Sequence, residues 1–241
     1  MATDISAHIS TEVDRVTTST QALEHTIASL TDDQARGPSL LPDWTRGHVL
    51  SHVARNADGL VNLVTSAGTG VKTPMYRSRD ERNAAIEAQS GRSAEELRVD
   101  VHESHERLLA AFAGLDTDAW QADVSWGPRD RVVVASRLPF MRRVEVEVHH
   151  LDLDLDYTPA HWPEDFVEAL LTDVAEESSA RDDMPGCVLV GNDDEGRWVV
   201  GAGGPEISGP PPALLSWLIG RTDGIGLHSE SGSLPARADW R

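Results

Sequence analysis

Trp44-Thr-Arg-Gly-His48-Val-Leu-Ser-His52-Val-Ala-Arg-Asn56 and, well downstream, Met141-Arg-Arg-Val-Glu145-Val-Glu-Val-His149-His150-Leu-Asp152 are the stretches whose reading decides the fold. Both have the pattern of helices with apolar flanks: Leu50, Val53 and Leu60 in the first, Val144, Val148 and Leu151 in the second. Residues four apart share a helix face. His48 and His52 therefore lie together, as do Glu145 and His149. Packed face to face, the two helices can aim imidazoles and a carboxylate at one point. That is the open three-ligand arrangement of a catalytic zinc. Polar groups on an apolar bundle face need partners, and a metal satisfies three at once. Spacing alone leaves the choice between His48 and His52 open.

Further helices surround these two. Ile5, Ile9, Val13, Val16, Leu23, Ile27 and Leu30 recur at helical spacing and predict a first helix over residues 4–30. Thr31-Asp-Asp and Gly37-Pro38 break it. Asp43 is the expected N-cap of the second helix, residues 45–66, which Gly68-Thr-Gly70 ends. Residues 71–78 read as a loop and 79–88 as a polar helix. Ser93-Ala-Glu-Glu96 is a capping-box pattern that opens a third long helix through Leu97, Val101, His105, Leu108 and Phe112. Residues 115–136 look irregular, with Gly127-Pro128 and a short Val132-Val-Val-Ala135 run. The fourth long helix covers 138–153. Four long amphipathic helices predict a bundle over residues 1–157.

The pattern then changes. Tyr157 to Pro163 reads as a linker, and residues 160–241 as a small α+β domain. Its expected elements are a helix over 164–180, a hairpin of Cys187–Val190 and Arg197–Val200 around the turn Asn192–Gly196, and a helix over 213–219.

Composition excludes several classes. The net charge of −19 over 241 residues repels a phosphate backbone, so no nucleic-acid partner is expected. A small anionic substrate would need arginines within the pocket. No apolar run reaches membrane-spanning length, so no membrane partner is expected. The N-terminal residues carry no signal-peptide pattern, and a cytoplasmic location is the expectation. Cys187, the single cysteine, starts an apolar run and reads as a buried structural thiol. Any thiol chemistry would then use sulfur from outside the chain.

The stretch from Trp44 to Gly59 resembles a signature of the mycothiol-dependent maleylpyruvate isomerase family, and Arg143 to Leu153 is similar to that family's second signature. Thr73-Pro-Met-Tyr76, Arg82-Asn83 and the closing region from Gly220-Arg221 to Trp240 also fit, so the resemblance covers nearly the whole chain. It implies a DinB-like four-helix bundle followed by a small α+β domain. It also implies one zinc ion on His52, Glu145 and His149, with mycothiol as the thiol. This choice takes His52 over His48, which is left to packing or to supporting a ligand. His150 points about 100° from His149 on an ideal helix and is a poor co-ligand; Glu147 likewise faces elsewhere.

The implied activity is isomerisation of maleylpyruvate to fumarylpyruvate by reversible thiolate addition. Zinc binds a thiol as thiolate and so lowers its pKa. The implied partners are a low-molecular-weight thiol and a small dicarboxylate. Arginine suits carboxylates, and the candidates are Arg82 and Arg221, with Arg55 behind them. Arg221 would bring the second domain to the site. Asn56, one turn past His52, is a candidate ligand orienter or substrate contact. Trp44 is expected to be a core or helix-entry residue. The alternative on the same scaffold is a thiol S-transferase acting on another electrophile. A regulatory zinc module would favour a closed, cysteine-rich site, and one cysteine argues against it. Oligomeric state is left open.

Overall fold

Four hydroxyl caps lay out the first part of the chain in a computed structural model that describes residues 2–126, 131–178, 181, 184, 186–192, 196–236 and 240, less the side chains of 2–5. After α1 (Ala2–Ile27), Thr31 caps the short α2 (Asp32–Arg36). Thr45 caps α3 (Arg46–Thr69), Ser78 caps α4 (Arg79–Ser90) and Ser93 caps α5 (Ala94–Ala113). Each hydroxyl accepts the backbone N–H three residues on, which the start of a helix otherwise leaves unpaired. The capping box predicted at Ser93 is present, and Thr31 turns out to begin a helix as well as to end one.

Asp43 is not the cap of α3. It sits at φ 63° in the turn before it, where the Trp44 N–H returns to the Leu41 carbonyl at 3.1 Å. Thr45 takes the role because His48 closes the box from the other side, its ring accepting the Thr45 N–H at 3.2 Å. Gly70, at φ 70°, ends α3 in the left-handed conformation that glycine adopts without strain.

Residues 115–136 hold more order than their sequence promised. Asp123–Trp126 (β1) and Arg131–Val134 (β2) pair as an antiparallel hairpin; Gly127-Pro128 lie outside the described residues. Pro139 sits in the first turn of α6 (Leu138–Asp152), where its missing N–H costs nothing.

The long helices α1, α3, α5 and α6 form the bundle; α3 packs on α5 and α6, and α1 on α6 and α5. Their apolar faces make two clusters. One gathers Ile9, Leu60, Leu63, Leu108, Phe112 and Leu138; the other gathers Leu23, Ile27, Val49, Val53, Leu97, Val101 and Val146. Along each helix the stretch between the clusters is polar yet buried: Ser19 and Thr20 on α1, Asn56 on α3, Ser104 and His105 on α5, Arg142 on α6. The bundle thus has a polar layer through its middle, and the candidate site grows out of that layer.

The chain divides into two compact units, Met1–Asp156 and Tyr157–Arg241. In the second, α7 (Glu164–Ser178) packs on a four-stranded sheet of β3 (Cys187–Gly191), β4 (Arg197–Val200), β5 (Glu206–Gly209) and β6 (His228–Ser229), with α8 (Pro211–Leu218) between β5 and β6 in sequence. The spatial order is β4-β3-β5-β6. The β3–β4 pair is antiparallel, and β5 runs parallel to β3. The parallel strand was not expected: Glu206-Ile-Ser-Gly209 shows one apolar residue and depends on its neighbour. Residues 179–180, Pro185 and 193–195, parts of the expected helix, apolar run and turn, lie outside the described residues. This is a helical bundle followed by an α+β unit.

Candidate active site

His52, Glu145 and His149 converge. Their ligand atoms all lie within 4.8 Å of one another. His52 Nε2 stands 3.1 Å from Glu145 Oε2, and His149 Nε2 stands 3.4 Å from the same oxygen. The two imidazoles meet edge to face at 4.5 Å between centroids. Packing of α3 on α6 brings the pair together, and the four-residue spacing within α6 supplies the third group. Side-chain exposure is 6% for His52, 12% for His149 and 19% for Glu145, so the cluster is buried on most sides but reachable on one.

The donor chemistry fits a divalent cation. His149 Nδ1 lies 2.8 Å from the wholly buried Asp152 carboxylate, which takes its hydrogen. In the neutral ring this leaves the Nε2 lone pair facing a carboxylate oxygen, and in the protonated ring Nε2–H donates to it. Two acceptors in such contact need a proton or a metal ion between them. A tetrahedral zinc with bonds near 2.1 Å holds its ligand atoms about 3.4 Å apart, close to the spacings found. A carboxylate on the far nitrogen is a common support for a metal-bound histidine.

Electrostatics follow from burial. Burial, with His149 close by, pushes His52 down to about 4 and keeps it neutral. Burial opposes charge on Glu145, but hydrogen bonds from His149 and His52 outweigh it and hold the carboxyl well below its ordinary range. For His149, burial is likewise outweighed by Asp152 and Glu145, and its pKa is raised.

The other predicted residues fall as follows. Arg82 reaches the cluster, its Nη2 donating to His52 Nδ1 at 3.1 Å, with its guanidinium over the Tyr76 ring at 5.9 Å. Asn56 is buried one turn from His52, where Oδ1 accepts from Arg142 Nη1 at 2.9 Å. Arg55 is spent on Asp58 and Asp100, at 3.0 and 2.6 Å. Arg221 belongs to the second unit, just past α8, where it donates to the Ile219 carbonyl at 3.2 Å. His48 caps its own helix and meets Glu87 at 3.1 Å. His150 bonds Thr26 at 2.7 Å, and Glu147 accepts from Ser19 at 2.5 Å. Trp44 lies against the back of the site, 5.7 Å from the His52 ring.

Sequence reasoning missed two residues. Asp152 was within reach of it: it stands three residues past His149, the spacing that puts a carboxylate beside an imidazole on a helix. Arg142 gave no such signal, because it reads as one of two surface-like arginines. The structure buries it completely and lowers it, by burial, to about 10. Its Nη1 donates to the Val53 carbonyl and to Asn56, while Nε and Nη2 find no hydrogen-bond partner among the described residues. It ties α6 to α3 at the level of the site.

A helical bundle whose two central helices bring a His–Glu–His donor set together, joined to an α+β unit, is the architecture of a protein with a candidate metal centre inside a bundle. Comparison with known proteins narrows this. The family model for the mycothiol maleylpyruvate isomerase N-terminal domain matches residues 16–154, and that for the MDMPI C-terminal domain matches residues 161–238. The chain belongs to the mycothiol-dependent maleylpyruvate isomerase family. A crystal structure of the mycothiol-dependent maleylpyruvate isomerase is similar at 29% identity and a TM-score of 0.90, covering 96% of this chain and 97% of that one. The crystal structure of a histidine-to-alanine mutant of that enzyme is similar at 28% identity, with the same TM-score and coverage. A search of curated proteins finds no match. Among the described residues no helix is long and apolar enough to cross a membrane.

Proposed function

We propose that this chain is a zinc- and thiol-dependent isomerase that converts maleylpyruvate to fumarylpyruvate, with mycothiol as the thiol. The observation that carries the reading is the convergence of His52, Glu145 and His149 in a chain of this family. These three side chains would hold the ion, and their number leaves a position for an exogenous group. When bound, zinc supplies acidification of the thiol, favouring thiolate near neutral pH.

The remaining roles belong to the protein. Asp152 fixes the His149 ring and its tautomer, so that Nε2 faces the cluster. Arg142, buried beside Glu145, adds a positive charge that favours the ionised carboxylate. Arg82 presents a guanidinium at the open side, suited to one carboxylate of a diacid. Cys187 is no candidate for the reactive sulfur: it is fully buried in β3, and burial pushes its thiol up to about 11. The sulfur therefore comes as a cosubstrate. Its thiolate adds to the cis double bond, the resulting single bond rotates, and the thiolate departs from the trans isomer.

Purified protein supplied with zinc and mycothiol should convert maleylpyruvate to fumarylpyruvate, followed by absorbance. His52→Ala should lose both zinc and turnover. Zinc loading without conversion would refute the isomerase reading, and zinc binding unchanged in His52→Ala would refute the ligand set.

A further inference from the structure

We propose that Tyr76 is a catalytic residue, whose phenol donates a hydrogen bond to the oxygen that becomes negative when the thiolate adds. This inference rests on the isomerase reading above.

The residue is placed with care. An added Cβ on Gly59 of α3 would lie 2.9 Å from Met75 Cγ and 3.1 Å from Tyr76 Cε1 and Cζ. Only a glycine there lets the Tyr76 ring rest against the helix without displacement. Asn62, also on α3, donates to the Met75 carbonyl at 3.1 Å and pins the loop from behind. The ring's other neighbour is the Arg82 guanidinium, itself bonded to His52. The hydroxyl oxygen accepts from the Arg82 guanidinium, while its own hydrogen makes a long contact of 3.5 Å to the Arg55 carbonyl, so the donor is not strongly committed. It is near enough to Glu145, Arg82 and Arg142 to interact with all three charges, and the residue is part-exposed rather than sealed in. Burial first, then Glu145, push the phenol up to about 12. It therefore keeps its proton wherever the enzyme works.

The chemistry needs such a donor. When the thiolate sulfur bonds to one alkene carbon, the alkene π pair moves into conjugation with the adjacent carbonyl, and negative charge arrives on the carbonyl oxygen. Rotation about the new single bond follows. The pair then returns, the double bond re-forms and the C–S bond breaks, releasing the thiolate. No proton or electron is gained or lost. Tyr76 keeps its hydrogen throughout and stabilises the enolate oxygen. A preorganised donor aimed at developing charge typically contributes about 10²–10³ in kcat.

Tyr76→Phe should lower kcat by about 10²-fold, with KM within threefold of wild type and zinc content unchanged. A graded test is available because the chain has only two tyrosines. In a Tyr157→Phe background, fluorotyrosine labelling changes Tyr76 alone, and kcat should follow phenol acidity. Wild-type-like kcat in Tyr76→Phe, or loss of kcat together with zinc, would overturn the proposal. So would a kcat that ignores phenol acidity. An inactive but zinc-loaded wild type would instead overturn the isomerase reading, and this inference with it.

Discussion

Asp152→Asn removes one charge from behind the cluster while preserving side-chain volume. The carboxylate is wholly buried and meets His149 Nδ1 at 2.8 Å, so little solvent screens it. Loss of such a supporting carboxylate typically costs 10- to 100-fold in metal affinity, or about 1.4–2.7 kcal/mol. The burial and short contact place the expected loss in the upper part of that range. One effect opposes it. Asp152 also raises the His149 pKa, so the carboxylate helps a proton compete with the metal. The asparagine variant should therefore lose more affinity at alkaline pH, where proton competition vanishes, than near pH 6. Titration of metal-free protein against a chromophoric zinc chelator at several pH values measures both. Thermal unfolding of the metal-free variant checks the fold. Affinity within twofold of wild type at alkaline pH, with the fold intact, would refute the role given to Asp152.

Arg82→Ala should raise KM for the diacid without weakening zinc binding, because Arg82 adds a positive charge beside His52 and is not itself a ligand; a weaker zinc affinity would count against this. Arg221→Ala should raise KM or lower kcat with zinc retained, and unchanged kinetics would remove Arg221 from the reaction. Acid stability should report His105. Burial first, then Arg142, lower it to about 4 from 6.5, so below pH 6.5 the unfolded chain takes the proton first. Stability then falls as pH drops from 6.5 toward 4, by on the order of 3 kcal/mol for this group. Chemical denaturation of His105→Gln across that window should show a shallower loss than wild type, and parallel curves would refute the assignment.

Much of the fold was legible because it is written in local pattern. The helical periodicity of α1, α3, α5 and α6 and the capping box at Ser93 need no long-range information. Where the reading failed, the deciding interaction lay elsewhere. Asp43 and Thr45 are both good caps by residue type, and the return of His48 onto Thr45 chose between them. The strand Glu206–Gly209 exists because it pairs with Cys187–Gly191, a partner that four residues with one apolar side chain cannot announce.

The sequence by itself determined that helices with His48 and His52 on one face, and Glu145 and His149 on another, would form, because four-residue spacing on a helix is a fixed geometry. Its resemblance to a family named three of those residues as one centre. The packing of α3 against α6 decided what that spacing could not, which nitrogen faces which oxygen, and the packing of α4 and the loop before it set Arg82 against His52 and Tyr76 against Arg82. The packing of the bundle helices buried Arg142 in the polar layer between two apolar clusters. Burial and charge proximity are properties of the assembled bundle. They set whether an arginine is a surface charge or a buried cation beside Glu145.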